Sequence, residues 1–267
     1  MSPEPTTMKP GGRLRNPVRC ILFDIYGTLF VSGAGDIGMA RRTHSGKDHL
    51  QALIDRYNIP MSPDHLRHGF FAAVEATHEK MKRQGIDVPE VAYETIWASI
   101  LPGMDPEGVR EFAIAYELIV NPVYPMPNLE RLLAGCRGRH LPLCIISNAQ
   151  FFTPLLFKWF LGGLPESIGF DPHLLFYSYR YGAAKPSPIL FKAAVSALKE
   201  QGIDVSEVLY VGNDKLNDVY AGDQAGFQTA LFAGDARSLR LRKDHALSST
   251  ISPDLIVTDL SQILDHV

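Results

Sequence analysis

The sequence predicts an α/β protein, a Rossmann-like and mainly parallel sheet core with a four-helix cap inserted into it. Three observations carry that prediction. A short apolar run from Val18, VRCILFDI, ends in an acid, as a buried strand does. Between about Lys47 and Asn121, apolar residues recur at helical spacing. After Pro122, short apolar runs alternate with helical patterns, the signature of parallel strands covered on both faces.

Residues 1–16 contain Pro, Gly and Arg without periodicity and are expected to form a mobile leader. The first core strand follows, so segments 17–32 and 122–267 form the core and 33–121 the cap. In the cap, Leu50, Leu53, Ile54 and Tyr57 mark a first helix, and Leu66, Phe70, Phe71 and Val74 a second. Val91, Ile96 and Ile100 mark a third, then Val109, Phe112, Ala113 and Tyr116 a fourth. Ser62-Pro63 and Asp105-Pro106 are N-cap and first-turn proline pairs, and Asp87 before Val88-Pro89 reads similarly. The later strands are expected at 141–147, 174–179, 207–213, 228–232 and 254–257. Helices are expected between them at 129–136, 152–161, 188–201 and 218–225. Asp204 and Glu207 have capping-box spacing, but Glu207 opens a strand, so that reading is set aside.

The chain has 267 residues, 46% of them apolar and 21% charged, an ordinary globular composition. Twenty-six Lys and Arg against 29 Asp and Glu give a net charge of −3, which offers no electrostatic case for nucleic acid or an anionic membrane. No apolar run reaches the ~18 residues of a membrane span, and residues 151–164 are broken by Pro154 and Lys158. Three cysteines, Cys20, Cys136 and Cys144, make no disulfide framework and no metal-ligand spacing, and the N-terminus carries no signal-peptide core. A cytoplasmic location is expected.

Four segments carry the chemistry. ILFDIYGTLF (21–30) places Asp24 at the carboxyl end of a buried strand, where open α/β sheets bind ligands, and Gly27 permits a turn whose N–H groups face an anion. CIISNAQ ends an apolar strand in Ser147-Asn148. AAKPSP carries Lys185, and YVGNDKLND carries Asp214 and Asp218 with three residues between them. In this order they resemble the haloacid dehalogenase-like hydrolase superfamily over most of residues 18–260.

That resemblance implies a role for each. Asp24 is the nucleophile, already ionised at neutral pH, which forms a covalent aspartyl intermediate. Thr28 supports the loop, and Ser147 with Asn148 holds an oxygen of the transferred group. Lys185 neutralises the developing charge. Asp24, the Tyr26 carbonyl, Asp214 and Asp218 bind Mg²⁺, with Asp218 a ligand directly, through water, or as the group holding Lys185. Asn213 stands where some relatives carry the metal-binding acid.

Tyr26 departs from most family phosphatases, which carry a second Asp there as general acid. Asp-x-Tyr-Gly-Thr-Leu resembles the dehalogenases, whose halide leaves without a proton. Charge arithmetic points the other way: Asp24, Asp214 and Asp218 outnumber Lys185 by two charges, which one Mg²⁺ balances. The leading expectation is a Mg²⁺-dependent phosphohydrolase acting through an aspartyl-phosphate on a small phosphorylated metabolite. The alternatives are a metal-independent 2-haloacid dehalogenase and a catalytically weak binding or regulatory protein. Arg41, Arg42, Arg56 and Lys82 are available cap cations for a substrate carboxylate, but helical surface positions suit them better.

Other patterns have plainer readings. GAGDIG at 33–38 fits the dinucleotide fingerprint, yet Asp55 lies in a helical pattern rather than at a second strand's end, so the stretch reads as a linker into the cap. His44, His65, His68 and His78 fall in or near the cap without ligand spacing. Phe151, Phe152, Trp159 and Phe160 read as core or a subunit interface, leaving a homodimer open. Arg237, Arg240 and Arg242 read as a solvated loop offset by Asp235 and Asp244.

Overall fold

The computed structural model describes residues 2–33 and 47–267. Arg41, Arg42, His44 and most of GAGDIG lie outside the described residues. Among the described residues the nine strands are β1 (Gly11–Gly12), β2 (Cys20–Phe23), β3 (Phe30–Ser32), β4 (Val123–Pro125), β5 (Leu143–Ser147), β6 (Phe170–Tyr177), β7 (Val208–Gly212), β8 (Gln228–Phe232) and β9 (Leu255–Val257). Seven form one sheet in the order β1-β9-β8-β7-β2-β5-β6, parallel except for β1 on β9.

The apolar run of β2 needs no polar alternation because both sheet faces are covered. Ile21 and Phe23 enter the cluster that holds Leu132, Phe157 and Ile263, while Cys20 and Leu22 face Leu190, Phe191 and Leu198 on the other side. Chain order runs from β2 to β5 and β6 on one side and then to β7, β8 and β9 on the other. The reversal opens a crevice at the carboxyl ends of β2 and β7.

Between β3 and β4 the chain leaves the core and returns, and these two strands pair antiparallel at the crossing. The inserted helices are α1 (Lys47–Arg56), α2 (Pro63–Arg83), α3 (Tyr93–Ile100) and α4 (Pro106–Val120). Ser62 accepts the His65 N–H at the start of α2, and Asp105 accepts the Glu107 and Gly108 N–H groups at the start of α4. The insert has its own core around fully buried Trp97, which stacks on Phe70 at 4.6 Å and meets Tyr116 at 4.7 Å.

Asp87 does not cap a helix. Proline favours extended backbone before it as readily as it opens a helix, and here 86–91 is non-helical, bending at Asp87 and Val88 before the bridge at Pro89. Pro89 bridges Ala183, Ala184 N–H donates to the Val88 carbonyl at 2.8 Å, and Ser187 Oγ donates to Asp87 at 2.8 Å. This strap ties the insert to the loop that carries Lys185. The N-terminal stretch also differs from the free segment its composition suggests. Thr6 Oγ1 donates to the Ala233 carbonyl at 2.7 Å, Glu4 N–H donates to Asp235 at 2.7 Å, and β1 extends the sheet.

The remaining helices are α5 (Leu129–Gly138), α6 (Thr153–Leu161), α7 (Ser178–Tyr181), α8 (Pro188–Glu200), α9 (Ala221–Gln224) and α10 (Ala246–Ser249). The segment expected as one helix at 218–225 is instead a wide π-turn over Lys215–Tyr220 followed by α9. Among the described residues, no helix is long and apolar enough to cross a membrane.

Candidate active site

Asp24 follows β2, Ser147 ends β5, Asn213 and Asp214 follow β7, and Lys185 sits in the loop before α8. They converge because these three neighbouring strands end together. Asp24 is 6% exposed, and its N–H donates to the Val211 carbonyl at 2.9 Å. Ser147 Oγ donates to Asp24 Oδ1 at 2.9 Å and Lys185 Nζ donates to the same oxygen at 2.7 Å. Oδ2 takes no hydrogen bond from the described residues and stays uncommitted.

Lys185 is 4% exposed and bridges two carboxylates, reaching Asp218 Oδ1 at 2.6 Å as well as Asp24. Its ammonium also meets the Tyr210 hydroxyl at 2.9 Å. Burial alone would lower its pKa, but Asp218 and Asp24 hold it above the ordinary lysine value, so it stays charged. Asn148 Oδ1 accepts the Lys185 N–H at 2.7 Å, so Asn148 positions the lysine loop.

Both oxygens of the Asp218 carboxylate have partners within the protein. Oδ1 accepts from Lys185 and meets Tyr210, and Oδ2 accepts the Asp214 N–H at 2.8 Å. Of the three arrangements expected for Asp218, the structure shows the one in which it holds Lys185. A Cβ on Gly212 would collide with this carboxyl, which explains glycine at that place.

Gly27 has φ +84, and a Cβ there would lie 2.5 Å from Asn213 Nδ2. This close approach lets fully buried Thr28 donate to Asn213 Oδ1 at 3.1 Å, while Asn213 Nδ2 donates to the Ser238 carbonyl at 2.6 Å. Thr28 thus supports the fourth motif. The Tyr26 hydroxyl pairs with Thr153 Oγ1 at 3.0 Å, and burial followed by the nearby Glu117 charge raises its pKa well above the ordinary phenol value. Such a phenol is a poor proton donor.

Asp214 has a partner that the sequence reading missed. Arg242 Nη2 donates to its Oδ2 at 2.6 Å, and Arg242 Nε lies 3.0 Å from the same oxygen. Its Oδ1 accepts the Leu216 and Asn217 N–H groups at 2.9 and 3.1 Å. The loop 237–242 is therefore not simply solvated. It lies beside the fourth motif, with Arg240 N–H donating to the Asn213 carbonyl and Lys215 N–H to the Arg240 carbonyl. Arg237 does pair with Asp235, at 3.3 Å, as its spacing suggested.

These bonds decide the fit of a magnesium ion. Magnesium takes one or two carboxylates together with waters. Of the carboxylate oxygens on Asp24, Asp214 and Asp218, only Asp24 Oδ2 is without a protein partner among the described residues. The expected set of Asp24, Tyr26, Asp214 and Asp218 does not fit the metal in this arrangement. With Arg242 counted, the three acids face two cations and one negative charge remains.

A cavity of about 450 Å³ opens over Asp24, within the size range of small-molecule sites. Lys185, Arg240 and Arg242 lie on its core wall. Tyr93, Phe152, Glu90 and Glu117 line it as well. Glu90 accepts from Ser178 Oγ at 2.8 Å and from the Val91 N–H at 3.0 Å, and burial raises its pKa to about 7. Burial likewise raises Glu117 to about 7, against a hydrogen bond from Asn121 Nδ2 at 2.8 Å. Lys82 and Arg56 pair with Glu79 and stack on Tyr57 respectively, and neither lines the cavity.

Several solved structures share this architecture. A 2-haloacid dehalogenase from Pseudomonas syringae pv. Tomato DC3000 has 18% identity and a TM-score of 0.58, covering 93% of this chain and 97% of its own. A HAD phosphatase from Thermococcus onnurineus has 18% identity and a TM-score of 0.56, covering 93% and 99%. A magnesium-bound HAD-hydrolase from Bacillus subtilis has 16% identity and a TM-score of 0.52, covering 94% and 98%. At these identities the likeness speaks for the fold alone. No curated protein sequence matches significantly. The sequence itself matches the haloacid dehalogenase-like hydrolase family over residues 18–226, and the chain belongs to that family of hydrolases.

Proposed function

We propose that this hydrolase cleaves a small phosphate monoester through a covalent intermediate on Asp24. The observation that carries the reading is the division of labour on that carboxylate. Ser147 and Lys185 fix Oδ1, while Oδ2 remains uncommitted beside the cavity. Oδ2 attacks phosphorus, the ester P–O bond breaks, and the leaving oxygen departs with the electron pair. Water then attacks the aspartyl-phosphate, releases inorganic phosphate and restores the carboxylate. Lys185 and the cavity-wall Arg240 offset charge on the transferred group.

Tyr26 does not supply a proton to the leaving oxygen, so substrates with stable leaving anions are favoured. The magnesium expected from the sequence is the competing arrangement, and it requires Asp214 to give up Arg242. A second reading, metal-independent 2-haloacid dehalogenation, is favoured by Tyr26, because halide needs no proton. The cavity of about 450 Å³ favours a larger metabolite than a haloacid. Tyr124, Trp159, Phe160 and Leu164 are exposed, and Tyr124 packs on Phe160. A second copy of the chain is the partner expected there, which gel filtration tests.

The deciding experiment is phosphate release from p-nitrophenyl phosphate by wild type and Asp24→Asn, with chloride release from 2-chloropropionate as the parallel arm. Release of phosphate that depends on Asp24 supports the proposal. Chloride release alone moves the assignment to the second reading. No release in either arm favours a binding protein.

A further inference from the structure

We propose that Arg242 is a built-in counter-cation for the fourth motif, occupying the carboxylate that a divalent ion would otherwise use. Arg242 plays this part whichever leaving group the enzyme expels.

The contact has the geometry of a dedicated pair. Two guanidinium nitrogens reach one Asp214 oxygen, at 2.6 and 3.0 Å, and Nε also lies 3.3 Å from the other. A planar fork is the cationic group best matched to a carboxylate. The Asp214 side chain is 9% exposed and that of Arg242 36%, so the charge enters the mouth of the site from its rim.

The backbone delivers the arginine to that place. The 237–242 loop forms a parallel bridge between Arg240 and Asp214, with hydrogen bonds of 3.0 and 2.8 Å on its two sides. Arg242 itself has φ +48, a left-handed conformation that an arginine rarely adopts. Such backbone persists where surrounding structure over-determines it. Here that structure is the bridge on one side and the ion pair on the other.

Asp214 is doubly employed, because its Oδ1 also caps the turn that presents Asp218 to Lys185. Holding Asp214 therefore holds the lysine network. Asn213, adjacent in the chain, is neutral and already donates to Ser238 and accepts from Thr28, so it offers no second anion. A magnesium ion recruiting Asp214 would have to displace a cation of fixed position. Freeing Asp214 by removing that cation should create metal affinity.

The test is a Mn²⁺ titration of the full chain, following the signal of free Mn²⁺ by electron paramagnetic resonance. Wild type, Arg242→Met and the double variant Arg242→Met/Asp214→Asn are compared. Removing one positive charge a few ångströms from the site should tighten Mn²⁺ binding in Arg242→Met by roughly 10- to 100-fold. The double variant should return to weak binding. Stoichiometric tight Mn²⁺ binding by wild type overturns the proposal, even if no variant folds. Equal affinity in wild type and a folded Arg242→Met, judged by circular dichroism, overturns it as well. Failure of both turnover assays above would count against the proposed function and leave this result standing.

Discussion

Glu90→Gln should stabilise this protein at alkaline pH while leaving it nearly unchanged at acidic pH. Glu90 is 9% exposed and sits among neutral donors, and burial raises its pKa from 4.5 to about 7. A carboxyl with a raised folded-state pKa binds its proton more tightly in the folded chain. Stability from this group is therefore full below about pH 4.5 and is lost as pH rises through about 7. The gap corresponds to roughly 3 kcal/mol, at about 1.4 kcal/mol for each tenfold change in proton affinity. Glutamine reproduces the protonated acid: its carbonyl accepts from the Val91 N–H and Gln150 Nε2, and its amide can donate to Ser178 Oγ. For a chain of this length, 3 kcal/mol is worth about 6 °C in Tm. The assay is thermal unfolding of both proteins at about pH 4 and about pH 8. Near-equal Tm values at the lower pH and a higher Tm for the variant at the upper pH are expected. A variant uniformly less stable at both would show instead that Glu90 is buried as a needed anion.

Three further outcomes follow from the same geometry. Lys185→Met leaves Asp24 and Asp218 facing each other without their shared cation; breaking such a buried pair costs about 3–5 kcal/mol, seen as a lowered Tm together with loss of turnover. Tyr26→Phe removes only the hydrogen bond to Thr153, so turnover on aryl phosphates should stay within about threefold and stability should fall by about 1 kcal/mol. Gly27→Ala, at φ +84 against Asn213, should lower stability by about 1–3 kcal/mol and show a correspondingly reduced Tm.

The strands and most helices were legible because their signals are local. The β2 run is apolar on both faces, and the Ser62 and Asp105 caps precede their prolines directly. The convergence of Asp24, Ser147 and Lys185 was legible because each follows or lies close to a strand end in a fixed order. Arg242 was not. It reaches Asp214 across 28 residues through a loop bridge that leaves no periodic trace, and nearby Asp235 and Asp244 offered a simpler balance of charge. Tyr210 escaped notice for a related reason: a tyrosine in an apolar strand reads as core, yet its hydroxyl lies 2.9 Å from Lys185. Glu90 carried a weak signal, an acid between Pro89 and Val91, but its burial depends on the strap against residues 182–184.

Whether Asp24 is the nucleophile can be read from a single turnover in water enriched in oxygen-18. Enzyme in excess over p-nitrophenyl phosphate is digested, and the peptide containing Asp24 is weighed by mass spectrometry. Water attack on the phosphorus of the aspartyl-phosphate places one oxygen-18 in the released phosphate and none in the Asp24 carboxylate, and quenching in acid before that step should trap a covalent phosphoryl adduct on Asp24. An adduct confined to that peptide and missing from Asp24→Asn is the expected result. The absence of any adduct at every quench time, from an enzyme that still turns over as Asp24→Asn, would show that Asp24 is not the nucleophile.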